Sequence, residues 1–418
     1  MELKTKFQYT YFIHPYVIDE AKYEKYILKL LKNPKCSYKI FEKEKDYDIY
    51  NFFLPHVRKF MFPTFELRDE RLKRFNEMKP EKQCKILALN DVSHFTYELE
   101  EDISGKVETE EGISFKVEGI DIITFNTGIC FFTMKTHLEN TNNFSDLLDF
   151  NYSFKSINSE FRTLKNYEKI KLTTDAFDNI EDISELIKEI TSEYKTKYDK
   201  DNDIANQDFY TFSYVCLESN HWNEKASFDD IENEFLKFAN VLPKDYKSDF
   251  NKENLNHNLH IIEKLKYVKT TVTNTSSNMI CSGMDTYNYS KLPYDYENQF
   301  FYTYLLQLYK VTFLRRLSIE FKEYSRIIKL REKFIKFTRQ IWNKEITLDD
   351  TGSLYYKTLN KALDLTDVYE EIQNKYEVIY KDLNIEKNNN YYGIIVILLI
   401  YSMIFNTINI LFLMYLLG

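Results

Sequence analysis

The apolar positions of this chain fall into two regimes that meet near residue 290. Before that point they alternate with polar residues or step by three and four over short runs, so strands and helices are expected in turn. Lys6 to His14, dense in aromatic and β-branched residues and followed by Pro15, predicts a strand. Ile18 to Leu31 carries a helical stripe through Ala21, Tyr23, Tyr26, Ile27 and Leu30, and Asn33-Pro34 ends it. Ser37 to Phe41 reads as a strand, Glu66 to Glu77 as a polar helix, and Gln83 to Ala88 with Ser93 to Leu99 as paired strands. Glu100 to Glu111 is acidic and predicts a solvated loop. The clearest pattern is Ile113 to His137, where Asn126-Thr127-Gly128 divides two apolar runs and predicts a hairpin. Helices follow from about Ser145, at Ile180 to Tyr194 and at Asp229 to Ala239, with a strand at Phe209 to Leu217. His260 to Thr273 is strand-like, and the hydroxyl-rich and amide-rich run Thr270 to Asn278 predicts a loop.

Beyond Pro293 no proline occurs and the period is helical. Glu297 to Trp342 predicts one continuous helix, and Asn343 to Gly352 a break. Ser353 to Glu386 predicts a second helix, with a seam through Leu365, Val368, Ile372, Tyr376, Ile379 and Leu383. The stretch Tyr391 to Gly418 contains no charged residue, no histidine and no proline. As a helix of about 1.5 Å rise per residue it is long enough for a ~30 Å hydrocarbon core, so a C-terminal transmembrane helix is expected. The expected organisation is a cytosolic α+β domain over residues 1–290, a long helical hairpin or stalk over 291–390, and a membrane helix over 391–418.

Composition narrows the partners. A formal net charge of -9 argues against nucleic acid. The five scattered cysteines contain no CxxC and suit reduced thiols in a cytosolic domain. The N-terminal residues show no secretory signal, so the expectation is an inner (plasma) membrane protein with its N-terminal domain in the cytoplasm.

No GxSxG, GxxxxGK[ST], HExxH or GxGxxG motif is present, so no enzyme and no catalytic residue is expected. His257 and His260 form the one close histidine pair, and no metal site is assigned to them. Ten Lys and Arg lie between Lys310 and Arg339 against Glu320, Glu323 and Glu332, a local reversal of charge. A solvated, salt-bridged helix face explains that run. An anionic ligand site explains it too, because guanidinium forks suit phosphates. Arg315 and Arg316 open the arginine run and are the first ligand-binding candidates. Asn126, Thr127, Ser276, Ser277 and Asn278 are added for their hydrogen-bonding groups. Ser402, Asn406 and Asn409 stand at i, i+4 and i+7 within the apolar run, a polar stripe that suits either contact between helices or a pore.

An α/β domain, a helical hairpin and a terminal apolar helix, taken together, resemble CorA-like membrane proteins. The chain lacks the Gly-Met-Asn motif of CorA transporters; Gly283-Met284-Asp285 lies far from the apolar run. It looks more like the defence-associated branch found beside type III CRISPR systems. That resemblance implies a homo-oligomeric membrane effector or channel, opened by a cytosolic nucleotide second messenger such as a SAM–AMP conjugate. In it the arm Leu365 to Leu383 would be the stalk, and Ser402, Asn406 and Asn409 would line the pore. The implied partners are further copies of the chain, a lipid membrane and a small anionic nucleotide. The alternative is a tail-anchored, non-conducting receptor or scaffold for a protein partner.

Overall fold

Strand β1, Thr5–Val17, is buried along most of its length, which places it where both faces of a sheet are covered. In the computed structural model it lies at the middle of the order β2-β3-β5-β6-β1-β8-β11-β10-β9, with β4 beside β5 and β7 beside β4. These strands are β2 (Cys36–Tyr38), β3 (Val92–Tyr97), β4 (Ile103–Val107), β5 (Ile113–Phe125), β6 (Ile129–Leu138), β7 (Ile170–Thr173), β8 (Tyr210–Leu217), β9 (His260–Ile262), β10 (Val268–Val272) and β11 (Ser276–Ser282). The structure describes residues 2–99, 103–107, 112–155, 170–173, 183–191, 209–246, 258–320 and 327–417. Among them β8 and β11 pair in parallel, and the other neighbouring pairs are antiparallel.

The helices are α1 (Tyr23–Lys32), α2 (Tyr47–Phe52), α3 (Pro55–Met61), α4 (Asp69–Asn76), α5 (Pro80–Leu87), α6 (Phe144–Lys155), α7 (Ile183–Thr191) and α8 (Glu232–Asn240), then α9 (Phe301–Glu320), α10 (Ile327–Gln340), α11 (Asp350–Ala362) and α12 (Leu365–Leu417). The chain divides into two compact units, Met1–Phe313 with Ile335–Leu365, and Leu314–Phe334 with Thr366–Gly418.

In the first unit the sheet is covered on both faces. On one face Phe12 stacks on Phe154 of α6 at 4.2 Å, and the Tyr23 hydroxyl of α1 lies 3.0 Å from Thr124 Oγ1. On the other face Tyr11 meets Phe301 at 4.4 Å, and Phe125 stacks on Tyr309 at 3.8 Å. Tyr355 of α11 packs on Phe300 at 4.7 Å. In the second unit the Arg316 Nε donates to Glu320 Oε1 at 2.9 Å, and Phe334 packs on Tyr369 at 5.2 Å. Along the expected seam of α12, Leu365 and Ile372 are buried, whereas the side chains of Ile379 and Leu383 lie outside the described ones.

Several local expectations are corrected. Gln83–Ala88 is not a strand: Pro80 sits at the first position of α5, where its missing N–H costs nothing. The run Thr270 to Asn278 is the β10–β11 hairpin, its hydroxyls and amides satisfied inside the fold. The acidic stretch after Leu99 contains β4, paired with β5 and β7. The expected continuous helix from Glu297 begins as a π-turn, Tyr296–Phe300, before α9. The second expected helix is two, α11 and α12, parted where Asp364 takes a left-handed backbone, φ 50°.

The largest correction concerns the C-terminal run. Among the described residues no helix is long and apolar enough to cross a membrane. The fold is mixed α/β around one sheet, and the expected transmembrane helix is overturned. The inner-membrane localisation and the CorA-like architecture that depended on that helix are overturned with it.

Candidate ligand cleft

A cleft of about 530 Å³ opens in the first unit, where the α2–α3 corner meets the π-turn and the approach to α11. That volume lies within the ~300–1,000 Å³ range of small-molecule sites. Its polar lining comes from Asp48 and Asn51 of α2, Arg58 of α3, Gln299 of the π-turn, and Thr347 and Asp349 ahead of α11. Phe52, Phe53, Leu54, Pro55 and Leu348 supply the apolar wall.

Local sequence fixes the corner. Leu54-Pro55 ends α2 and starts α3, with Pro55 at the first helical position. Arg58, one turn later, donates through Nη1 to the Tyr50 carbonyl at 2.6 Å and the Phe53 carbonyl at 2.9 Å. These are carbonyls at the end of α2, which lack partners within that helix. The guanidinium carbon sits 4.0 Å from the Tyr50 ring centroid. The Arg58 Nε is buried and has no hydrogen-bond partner among the described residues. Asp349 is the N-cap of α11, its Oδ2 accepting from the Gly352 N–H at 2.6 Å. Gly352 is required there: a Cβ would lie 2.4 Å from the Phe52 ring and 2.9 Å from Thr347 Cγ2. Asp48 Oδ2 lies 3.7 Å from Lys291 Nζ. The walls thus offer a positioned guanidinium, two carboxylates and neutral amide and hydroxyl groups, a set that fits a ligand carrying both acceptor and donor groups.

The π-turn connects this cleft to a charged network on the sheet. Glu297, two residues before Gln299, accepts from Lys135 Nζ at 2.9 Å through each carboxylate oxygen, and also from the Tyr11 hydroxyl. Lys135 lies 3.2 Å from Glu118 as well. Glu118 is the extra residue of a bulge between Val117 and Gly119, which turns its side chain toward Lys135. Nearby, Asp121 accepts from Lys39 at 3.1 Å and from Thr96 at 2.7 Å. Tyr302 and Asp121 hold the Lys39 ammonium above its ordinary range, while burial pushes the Tyr302 hydroxyl up to about 12.

A second buried polar group lies between α9 and α11. Lys310 is 1 % exposed and donates to the Tyr356 hydroxyl at 2.8 Å, with the Tyr356 and Trp342 rings 4.8 and 5.9 Å from Nζ. Burial lowers its pKa to about 7. Gln307, one turn earlier, donates to Asn360 Oδ1 at 2.6 Å.

The residues singled out from sequence do not converge. Asn126 and Thr127 form the β5–β6 turn: the Asn126 amide donates to Asp91 at 3.1 Å, and the Thr127 hydroxyl reaches Tyr309 at 3.4 Å. Ser276 donates to the Ala239 carbonyl, Ser277 shares hydrogen bonds with Tyr296 and Tyr355, and Asn278 donates to the Phe238 carbonyl, which ties β11 to α8, the π-turn and α11. Arg315 and Arg316 belong to the second unit; Arg315 is exposed, and Arg316 is buried and paired with Glu320. Ser402 and Asn406 are exposed on α12 one turn apart, and the Asn409 side chain lies outside the described ones. His257 also lies outside the described residues. Among the described residues no three His, Cys, Asp or Glu are arranged to hold a metal. Sequence reasoning missed Arg58, Asp48, Asn51, Gln299 and Thr347, which no short motif unites. Pro55 at a helix start and Asp349 at another were the local signals available.

No protein-family model matches the chain, and no curated protein or solved structure is significantly similar to it.

Proposed function

We propose that this chain is a binding protein that senses a small polar molecule in the Arg58 cleft. The observation that carries the reading is the Arg58 guanidinium, fixed by two carbonyls and a ring at the wall of a 530 Å³ cleft, with a buried Nε that has no partner among the described residues. An arginine so held loses little freedom on meeting an oxyanion or carbonyl, and an unpaired buried donor favours whatever ligand satisfies it. Asp48 and Asp349 add acceptors for an amine, amide or hydroxyl on the same ligand. A small anionic nucleotide with donor groups on its base meets both demands.

Calorimetry and thermal-shift measurements with adenosine mono- and triphosphate, an adenylated methionine conjugate, free amino acids and inorganic phosphate test this. The expected result is saturable binding of at least one organic probe that weakens roughly tenfold or more in Arg58→Lys and in Asp48→Asn. Binding that is unchanged in both variants, or no binding across the set, overturns it.

A second reading, self-association of the chain, rests on a different observation. Residues 394–408 of α12 expose Ile394, Ile397, Leu398, Leu399, Phe405 and their apolar neighbours at 51–71 %. Apolar surface of that extent marks an interaction site. Light scattering on the full chain, compared with a chain ending at residue 390, checks it; equal masses for the two would count against self-association.

A further inference from the structure

Five cysteines are present and all are buried and free. Two of them face each other. Cys216 of β8 and Cys281 of β11 are direct register partners across the parallel pair. Each is the penultimate residue of its strand, so the pair lies at one end of the sheet. Both point to the side that carries Tyr214, whose hydroxyl lies 3.1 Å from the Cys281 sulfur. The Cys281 sulfur lies 3.5 Å from the Asn288 carbonyl and 3.6 Å from the Val215 carbonyl, and the Cys216 sulfur lies 3.7 Å from the Leu217 carbonyl. Neighbouring strands are about 4.8 Å apart, within the roughly 4.4–6.8 Å Cα window that a disulfide spans. The register partners of Cys36 and Cys130 are Tyr97, and Tyr16 with Thr124, and Cys84 sits on α5.

The cover over this pair is thin. The four-residue helical turn Tyr287–Ser290 packs on the thiols through Asn288, whose amide also donates to the Ser282 carbonyl at 2.8 Å. Tyr287 and Ser290 are exposed, and Lys6 at the surface lies over the Tyr289 ring at 3.5 Å. A single helical turn with one side open to solvent opens locally at lower cost than the sheet beneath it.

We propose that Cys216 and Cys281 are a redox pair that a peroxide converts to an intramolecular disulfide once the Tyr287–Ser290 turn lifts. In the first step the Cys216 thiolate attacks a peroxide oxygen, giving a sulfenic acid and hydroxide. In the second, the Cys281 sulfur attacks the sulfenic sulfur; the S–S bond forms, and hydroxide leaves to take up the Cys281 proton as water. The two sulfurs together lose two electrons, and hydrogen peroxide is reduced to two waters. The hydrogen bond from Cys281 and the Lys6 charge hold Cys216 below the usual thiol range, whereas burial pushes Cys281 up, which assigns attack to the first and resolution to the second. In-register parallel strands keep the Cβ atoms near the strand spacing, wider than the ~3.8 Å a relaxed disulfide prefers, so the bond is readily reduced.

The test treats the native full chain with about tenfold excess hydrogen peroxide, alkylates the remaining thiols after denaturation and maps peptides without reductant. The expected product has lost about 2 Da, carries a Cys216–Cys281 cross-linked peptide with the other three cysteines alkylated, and reverts with dithiothreitol. Asn288→Gly, which unpins the turn, should raise the rate several-fold. Cys281→Ala should leave Cys216 as a sulfenic acid that dimedone traps. Five alkylated thiols after peroxide, a disulfide joining any other pair, or cross-linking at the same rate in Asn288→Gly as in the native chain overturns the proposal. The native peptide map decides the pairing even if a variant fails to fold.

Discussion

The two faces of the central sheet are made by alternate residues of the same strands, yet they are held by different physics. Toward α1, α6 and α8 rings and aliphatic groups predominate over hydrogen bonds such as that of Tyr23 with Thr124: Phe12 is fully buried among Phe150, Phe154 and Phe209 at 5.6, 4.2 and 6.4 Å. Toward α9 and α11 the same strands present Tyr9, Tyr11, Asp121, Lys135 and Tyr214, each tied to a named partner. Apolar contact is non-directional and tolerates sliding, whereas hydrogen bonds and ion pairs fix position and penalise misfit. The apolar face supplies cohesion, and the polar face sets where the helical layer sits. The cleft and the thiol pair both lie on the polar side.

Four substitutions break or sharpen this contrast. Phe12→Ala should be the most damaging, costing about 3–5 kcal/mol in urea unfolding, because a ring is lost from a closed aromatic cluster. Lys310→Met comes next and has a sign. The folded pKa of Lys310, about 7, lies below the unfolded 10.5, so between those values the unfolded chain binds more protons. Native stability from this group therefore rises with pH from about 7 to 10.5, and its charging penalty is fully present below 7. Removing the amine should raise stability at neutral pH by on the order of 3 kcal/mol and flatten the alkaline slope; a slope unchanged from the native chain would place the charge elsewhere. Glu297→Gln keeps the shape but loses charge toward Lys135 and Tyr11, and should cost about 1–2 kcal/mol, with less salt dependence of unfolding than the native chain. Asp349→Ala removes the cap of α11 and should cost about 1 kcal/mol, seen as a lower thermal midpoint.

How much of this was legible in the sequence follows the same division. The β5–β6 hairpin was, because Gly128 supplies the positive φ its turn needs, 82°, between two apolar runs. Helices α1, α6 and α8 were, because their apolar spacing is local. The buried hydrogen-bonded positions were not. Ser276, Ser277 and Asn278 read as a loop because nothing nearby in sequence shows that Phe238, Tyr296 and Tyr355 will satisfy them. Lys310 read as one of a run of surface charges, although the fold buries it against Tyr356. The break at Asp364 was hidden because a non-glycine residue carries the left-handed backbone. The cleft is assembled from three separate stretches, 48–58, 299 and 347–349, so no window along the chain contains its chemistry.

The π-turn at Tyr296–Phe300 holds one residue more than an α-helical turn needs. It therefore acts as a phase adjuster. Glu297 is aimed at Lys135 while Gln299, two residues on, is aimed at the cleft. Deleting one residue here would restore an ordinary helix and rotate everything upstream by about 100° relative to α9. The carboxylate or the amide would then leave its station, and no side-chain substitution elsewhere would return it. A one-residue indel, harmless in most surface loops, is at this position a change of wiring between the charged network and the cleft.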